Sequence, residues 1–138
     1  GHYGTVQTHI STCVTQTKGF VGKHVLWTAL ELRAKDETSN LPIYGPDIIG
    51  KAATSKAPSW FEQVLHGWFE TDPKTKARFR RLYLQTHADE YGIDFRAKTT
   101  APVSHPLPAF LQAGDLSIAK FLELQAASRL AALAEVKK

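Results

Sequence analysis

The sequence contains no methionine, a single cysteine at position 13 and no long apolar run. A lone cysteine excludes an intrachain disulfide and a thiolate metal cluster, and it favours a reducing compartment. Apolar runs of only a few residues predict no membrane span. Residues 1–10 lack the basic and apolar regions of a signal peptide. We therefore predict a cytoplasmic protein with no membrane partner.

The missing methionine predicts that the chain is part of a longer protein, and Gly1-His2 is typical of a cleaved purification tag. The 138 residues, 43% of them hydrophobic, suffice for one packed domain. The net charge of +4 is compatible with nucleic acid or nucleotide as a partner, and equally with an ordinary solvated surface. The six histidines show no metal-ligand spacing, so we predict no metal site.

Local patterns predict a mixture of helices and strands. Apolar residues at helical spacing predict an amphipathic helix over 5–18, with Cys13 in the core. The apolar run at 24–30, HVLWTAL, is typical of a strand buried on both faces of a parallel sheet. Residues 31–50 are rich in turn-forming residues and predict a long loop, followed by a short helix over 51–57.

The second half of the chain has clearer boundaries between its predicted helices and strands. The spacing of apolar residues over 60–70 favours a helix, whereas 78–86 is rich in strand-forming residues and follows a turn-forming Asp-Pro-Lys. Three prolines make 101–108 an extended connector. A helix is predicted from Ser117 onwards, capped by Asp115 or Ser117.

Two motifs suggest phosphate chemistry. Residues 45–51 match G-x-x-x-x-G-K, but Ala52 stands where a P-loop needs a hydroxyl for Mg²⁺, so a flexible glycine-containing loop is the favoured interpretation. The basic cluster of Lys74, Lys76, Arg78, Arg80 and Arg81 predicts either a phosphate-binding patch or protection of a sheet edge, and the sequence favours neither.

Two further segments carry charged residues where a binding or catalytic site would need them. Glu31 directly follows the predicted strand, at the carboxyl end where ligands of parallel sheets bind. Arg96 and Lys98 are two residues apart, so on an extended segment they would face the same side and could stabilise a transferred phosphoryl group. From spacing alone, solvent-exposed residues are the simpler interpretation at both places.

The order of these elements resembles the C-terminal half of a RecA-like P-loop ATPase core, and especially phage-encoded recombination ATPases. HVLWTALE is similar to the strand that ends in the nucleotide-sensing residue, 32–50 to the second DNA-binding loop, and RAKTTAP at 96–102 to a basic segment that reaches the neighbouring subunit. The resemblance implies an α/β fold in which residues 1–108 are part of a mostly parallel sheet with a β-hairpin over 60–86. Residues 109–138 would form a C-terminal helix.

The resemblance also implies a function. Glu31, Arg96 and Lys98 would be catalytic, the last two acting in trans in a homo-oligomer, and single-stranded DNA would contact Arg33, Lys35 and Lys51. ATP and Mg²⁺ would bind the intact protein, whereas this chain, without a complete P-loop, would hold neither tightly. The alternative is a small basic α/β module that binds nucleic acid or a protein and has no ATPase chemistry.

Overall fold

The computed structural model describes residues 2–48 and 51–137. The described residues form an α/β fold, as the sequence predicts, and divide into two compact units. The first unit comprises residues 1–62 and 88–96, and the second comprises residues 63–87 and 97–138. The predicted boundary between 108 and 109 falls inside the second unit. No described helix is both long and apolar enough to cross a membrane.

The first unit contains two helices, α1 (His2–Lys18) and α2 (Lys51–Trp60), which pack against each other. The predicted helices at 5–18 and 51–57 are therefore confirmed. Val14 of α1 is buried, at 2% exposure, whereas Cys13 is exposed. The prediction that Cys13 lies in the core is wrong, because the neighbouring Val14 takes the buried position on this side of the helix.

A four-stranded mixed sheet is made mainly of residues of the first unit. Its strands are β1 (Glu31–Lys35), β2 (Pro42–Pro46), β5 (His87–Ala88) and β6 (Asp94–Phe95), in the order β1-β2-β6-β5. β1 and β2 are antiparallel, and β2 and β6 are parallel. The described residues thus do not form the expected mostly parallel sheet, because a short turn joins β1 to β2 and a short turn can connect only antiparallel strands.

Two predictions for residues 24–50 are wrong. Residues 24–30 form no strand and are exposed throughout, and the strand begins later, at Glu31. The expected loop after position 31 is instead the β1–β2 hairpin. Its turn is held by Asp36, whose Oδ2 accepts hydrogen bonds from the backbone N–H and hydroxyl of Ser39. The turn-forming residues that predicted a long loop therefore make a tight hairpin turn.

The second unit is an antiparallel sheet with one helix. β3 (His66–Thr71), β4 (Arg78–Tyr83) and β7 (Phe110–Gln112) form a sheet in the order β3-β4-β7. The hairpin implied by the resemblance is thus confirmed for 66–83. A 3₁₀ turn (Ala113–Asp115) leads to α3 (Ile118–Val136), which Ser117 caps by accepting a hydrogen bond from Lys120 N at 3.0 Å. Residues 101–108 are the predicted connector.

The core of the second unit lies on one face of this sheet. It consists of four buried side chains, Leu84, Leu107, Leu111 and Phe121. Leu82 of β4 packs against these residues, so the hairpin is anchored at its base by apolar burial. The side chains at the far end of the hairpin, towards its turn, are mostly exposed.

Candidate nucleic-acid interface

The β3–β4 hairpin ends in a tight basic turn. Oδ1 of Asp72 accepts hydrogen bonds from the backbone N–H groups of Lys74 and Thr75 at 2.7 and 2.8 Å. These N–H donors lower the pKa of the Asp72 carboxyl, so it remains charged and holds the turn at neutral pH. Lys74 and Lys76 are exposed at the tip as a result.

One face of the hairpin combines an aromatic ring with two guanidinium groups. Phe69 of β3 lies opposite Arg80 of β4, and Thr71 lies opposite Arg78. The Cζ atoms of Arg78 and Arg80 are each 4.9 Å from the centre of the Phe69 ring. Phe69 is 46% exposed and both arginines are exposed. We call Phe69, Arg78 and Arg80 the ring–arginine cluster.

The opposite face of the hairpin is organised around Arg81. Its Cζ lies 5.0 Å from the centre of the Phe79 ring and 4.1 Å from that of Phe110. Its Nε donates to Oε1 of Gln112 at 3.1 Å, and its Nη1 is 4.0 Å from Oε1 of Glu70. Arg81 is therefore held in place on several sides and has its charge balanced by a carboxylate.

Glu70 also accepts a hydrogen bond from the hydroxyl of Tyr83. Burial raises the pKa of Tyr83, and the hydrogen bond to Glu70 raises it further. The phenol is consequently a neutral donor at physiological pH. The Arg81 face is thus close to electrically balanced, whereas the ring–arginine cluster carries two positive charges that no described carboxylate contacts.

Three of the predicted site residues lie together on β1. Glu31, Arg33 and Lys35 alternate along the strand, so they occupy one face of it, and all three are exposed. Glu31 does not follow a buried strand, contrary to the prediction, because residues 24–30 form none. Its carboxylate instead occupies the same face as the two cations, which reduces the attraction of that face for phosphate.

Arg96 and Lys98 have different surroundings. Nη2 of Arg96 lies 3.1 Å from Oδ2 of Asp36, so its charge is paired within the first unit. Lys98, in the second unit, exchanges backbone hydrogen bonds with Val64, and its side chain is exposed. The two predicted catalytic cations thus differ in that Arg96 forms an ion pair, whereas the Lys98 side chain is exposed.

The G-x-x-x-x-G-K segment begins inside a strand. Gly45 and Pro46 belong to β2, so a strand leads into the segment, which the sequence did not predict. A Cβ added at Gly45 would lie 2.8 Å from the carbonyl oxygen of Thr54, so this glycine permits close packing of α2 on β2. Ile49, Gly50 and the Lys51 side chain lie outside the described residues. The predicted DNA contact of Lys51 therefore stays a prediction.

The sequence indicated the basic cluster but missed its aromatic component. Phe69 stood in a segment whose spacing favoured a helix, so its pairing with Arg80 was not foreseen. The signal was present in the alternation of Arg78 and Arg80 across an Asp-Pro turn from Phe69. Comparisons with protein-family models, curated proteins and solved structures gave no match.

Proposed function

We propose that this chain binds single-stranded DNA through the β3–β4 hairpin. The observation that carries the proposal is the ring–arginine cluster, with the Phe69 ring within 4.9 Å of two guanidinium groups on an exposed face. Exposed rings and guanidinium planes stack on unpaired bases, and cations attract the phosphate backbone. Lys74 and Lys76 at the tip extend the basic surface along the hairpin.

The position of the arginines bears on their alternative role, protection of a sheet edge. β4 lies between β3 and β7, and all three arginines of the sheet are on β4. Cations that prevent edge-to-edge pairing belong on sheet edges. β7 pairs only with residues 81–83, so Arg78 and Arg80 lie on the part of β4 that β7 does not cover. Their position fits either role, and their contact with the exposed Phe69 ring is what favours ligand binding.

The test is a titration of labelled single-stranded DNA with the wild-type chain and with Arg78→Ala/Arg80→Ala. We expect the double variant to bind more weakly and with a smaller salt dependence, by about 0.7 in the logarithmic slope for each phosphate that is no longer neutralised. Lys18→Ala/Lys23→Ala removes the same charge from exposed positions of the first unit and is the matched control. Equal weakening in both double variants would reduce the interaction to non-specific charge attraction and overturn the proposal.

We also propose that the chain is the C-terminal portion of a RecA-like recombination or replication ATPase. Its support is the order of elements, in which α2 is followed by the β3–β4 hairpin and the basic segment at 96–102. In the intact protein ATP and Mg²⁺ would bind upstream of this chain, and Lys98 would act on a neighbour's nucleotide in a homo-oligomer. A preceding strand followed by G-x-x-x-x-G-K-[ST] in the longer protein is the test, and its absence would refute this proposal while leaving DNA binding intact.

A further inference from the structure

A groove lies at the corner of the second sheet where β7 ends and β4 continues. β7 pairs with residues 81–83 of β4 only, and the chain then turns away at Ala113. The groove is largely open to solvent and has a volume of about 470 Å³. Its lining residues are Phe79, Arg80, Arg81, Gln112, Ala113 and Leu116.

The backbone at this corner has an unusual conformation. Ala113 has φ of 54°, in the left-handed region that a residue with a Cβ seldom adopts. The left-handed residue redirects the chain from β7 into the 3₁₀ turn, which places Leu116 in the groove wall opposite β4. Residues in such conformations are concentrated at binding sites, where they shape the surface that meets the ligand.

Part of the groove wall is apolar and part is charged. Phe79, Ala113 and Leu116 supply apolar surface. Arg81, which would otherwise attract phosphate, is already 4.0 Å from the Glu70 carboxylate and packed on two rings. A phosphate placed beside Arg81 would find the arginine charge already balanced by the Glu70 carboxylate. The Arg81 side of the groove therefore suits a base better than a phosphate, and the charge of Arg80 remains available to the phosphate backbone.

The side chain of Gln112 sets which base the groove favours. Its Oε1 accepts a hydrogen bond from Arg81 Nε at 3.1 Å, which orients the amide and leaves its NH₂ as the group able to meet a ligand. Arg80 adds only donors. Donors on the rim can bond a thymine carbonyl or a ring nitrogen of adenine. On the major-groove edge, however, adenine presents an amino donor beside its N7 acceptor, whereas thymine presents the O4 acceptor and a methyl group that suits the apolar side chains.

We propose that this groove holds one unstacked base of bound single-stranded DNA and prefers thymine to adenine through the Gln112 amide. The inference rests on the proposed DNA binding by the adjacent ring–arginine cluster, because Arg80 belongs to both. The cluster would hold the backbone and neighbouring bases by charge and stacking, and the groove would add selectivity for one position.

The experiment compares the affinities of wild type, Gln112→Ala and Gln112→Glu for oligothymidylate and oligodeoxyadenylate of about 12 nucleotides. We expect the thymine-to-adenine affinity ratio to fall on the order of tenfold in Gln112→Ala, the size of one discriminating base contact. Gln112→Glu, which places an acceptor against the carbonyl, should lower the ratio at least as far. We expect each Gln112 variant to change the salt dependence of binding to either oligonucleotide less than Arg78→Ala/Arg80→Ala does.

The outcomes separate this inference from the proposed function. An unchanged ratio in both Gln112 variants, with binding still weakened in Arg78→Ala/Arg80→Ala, would overturn the base groove and leave DNA binding standing. Failure of wild type to bind either strand at low salt would overturn both. Because Gln112 is exposed, we expect both variants to fold, and thermal unfolding of each variant checks this.

Discussion

Arg96 Nη2 lies 3.1 Å from Asp36 Oδ2, and this ion pair links the β1–β2 turn to the residue that follows β6. Asp36 is the more enclosed partner, with 13% of its side chain exposed compared with 37% for Arg96. The same carboxylate accepts the two hydrogen bonds from Ser39 that close the turn. For Arg96 to reach a neighbouring subunit's nucleotide, as the RecA-like proposal requires, this pair would have to break.

The first prediction concerns the pH dependence of this pair. The Ser39 hydroxyl, and to a smaller extent the Arg96 charge, hold the pKa of Asp36 below its ordinary value of 3.8. A lowered folded-state pKa stabilises the fold above the unfolded-state pKa, and that contribution is lost as pH falls through the folded-state value. Asp36→Asn should therefore lower the urea concentration at the midpoint of unfolding at neutral pH. The difference in this midpoint between the variant and wild type should shrink as the pH falls below about 3.8.

Urea denaturation across this pH range is the measurement, with Asp115→Asn as the control for loss of an exposed carboxylate elsewhere. A difference between Asp36→Asn and wild type that stays constant down to strongly acidic pH would show that the charge of Asp36 contributes nothing to stability.

The second prediction separates stacking from charge in the ring–arginine cluster. Phe69→Ala removes the ring and keeps both arginines, so it should weaken single-stranded DNA binding by about 1–3 kcal/mol while leaving the salt slope nearly unchanged. Phe69→Tyr keeps an aromatic ring and should retain most of the affinity. Fluorescence anisotropy at several salt concentrations measures both quantities. Full affinity in Phe69→Ala would show that the ring is not a stacking platform.

The third prediction concerns the close contact between β2 and α2. A Cβ at position 45 would meet the Thr54 carbonyl oxygen at 2.8 Å and Thr54 Cγ2 at 3.0 Å, so backbone would have to move. Gly45→Ala should lower the free energy of unfolding by about 1–3 kcal/mol, as expected of overpacking. Gly67→Ala is the matched control in another strand, because a Cβ there has no atom within 4 Å. Equal stability of the two variants would contradict the role given to Gly45.

The fourth prediction applies to the intact protein that the RecA-like proposal requires. Lys98→Ala should abolish ATP hydrolysis and leave ATP binding largely unchanged, because the residue would stabilise charge on a neighbour's nucleotide during transfer. Turnover assays and nucleotide titrations on the same preparation measure the two effects. Lys120→Ala, on α3, is the control for loss of one lysine. Wild-type turnover in Lys98→Ala would remove this residue from the mechanism.

Where the signals are local, the sequence predicted the structure. The Ser117 cap, the Asp72-Pro73 turn and the prolines of 101–108 each constrain backbone within a few residues, so α3, the β3–β4 turn and the connector follow from them. The hairpin strands needed the resemblance as well, because the spacing of 60–70 favours a helix. Local preference alone cannot choose between two patterns that a short apolar segment satisfies equally.

The local patterns of the sequence are enough to predict an α/β fold, a capped C-terminal helix and a cluster of cations around one turn, and the composition shows the basic excess. Three features follow from the fold and from no local pattern: residues 24–30 are exposed, β1 pairs with β2, and Arg96 forms an ion pair with Asp36. The fold alone brought Arg80 into register with Phe69. The physical reason is that strand partners, register and ion pairs depend on contacts between distant segments, whose energies no local pattern encodes.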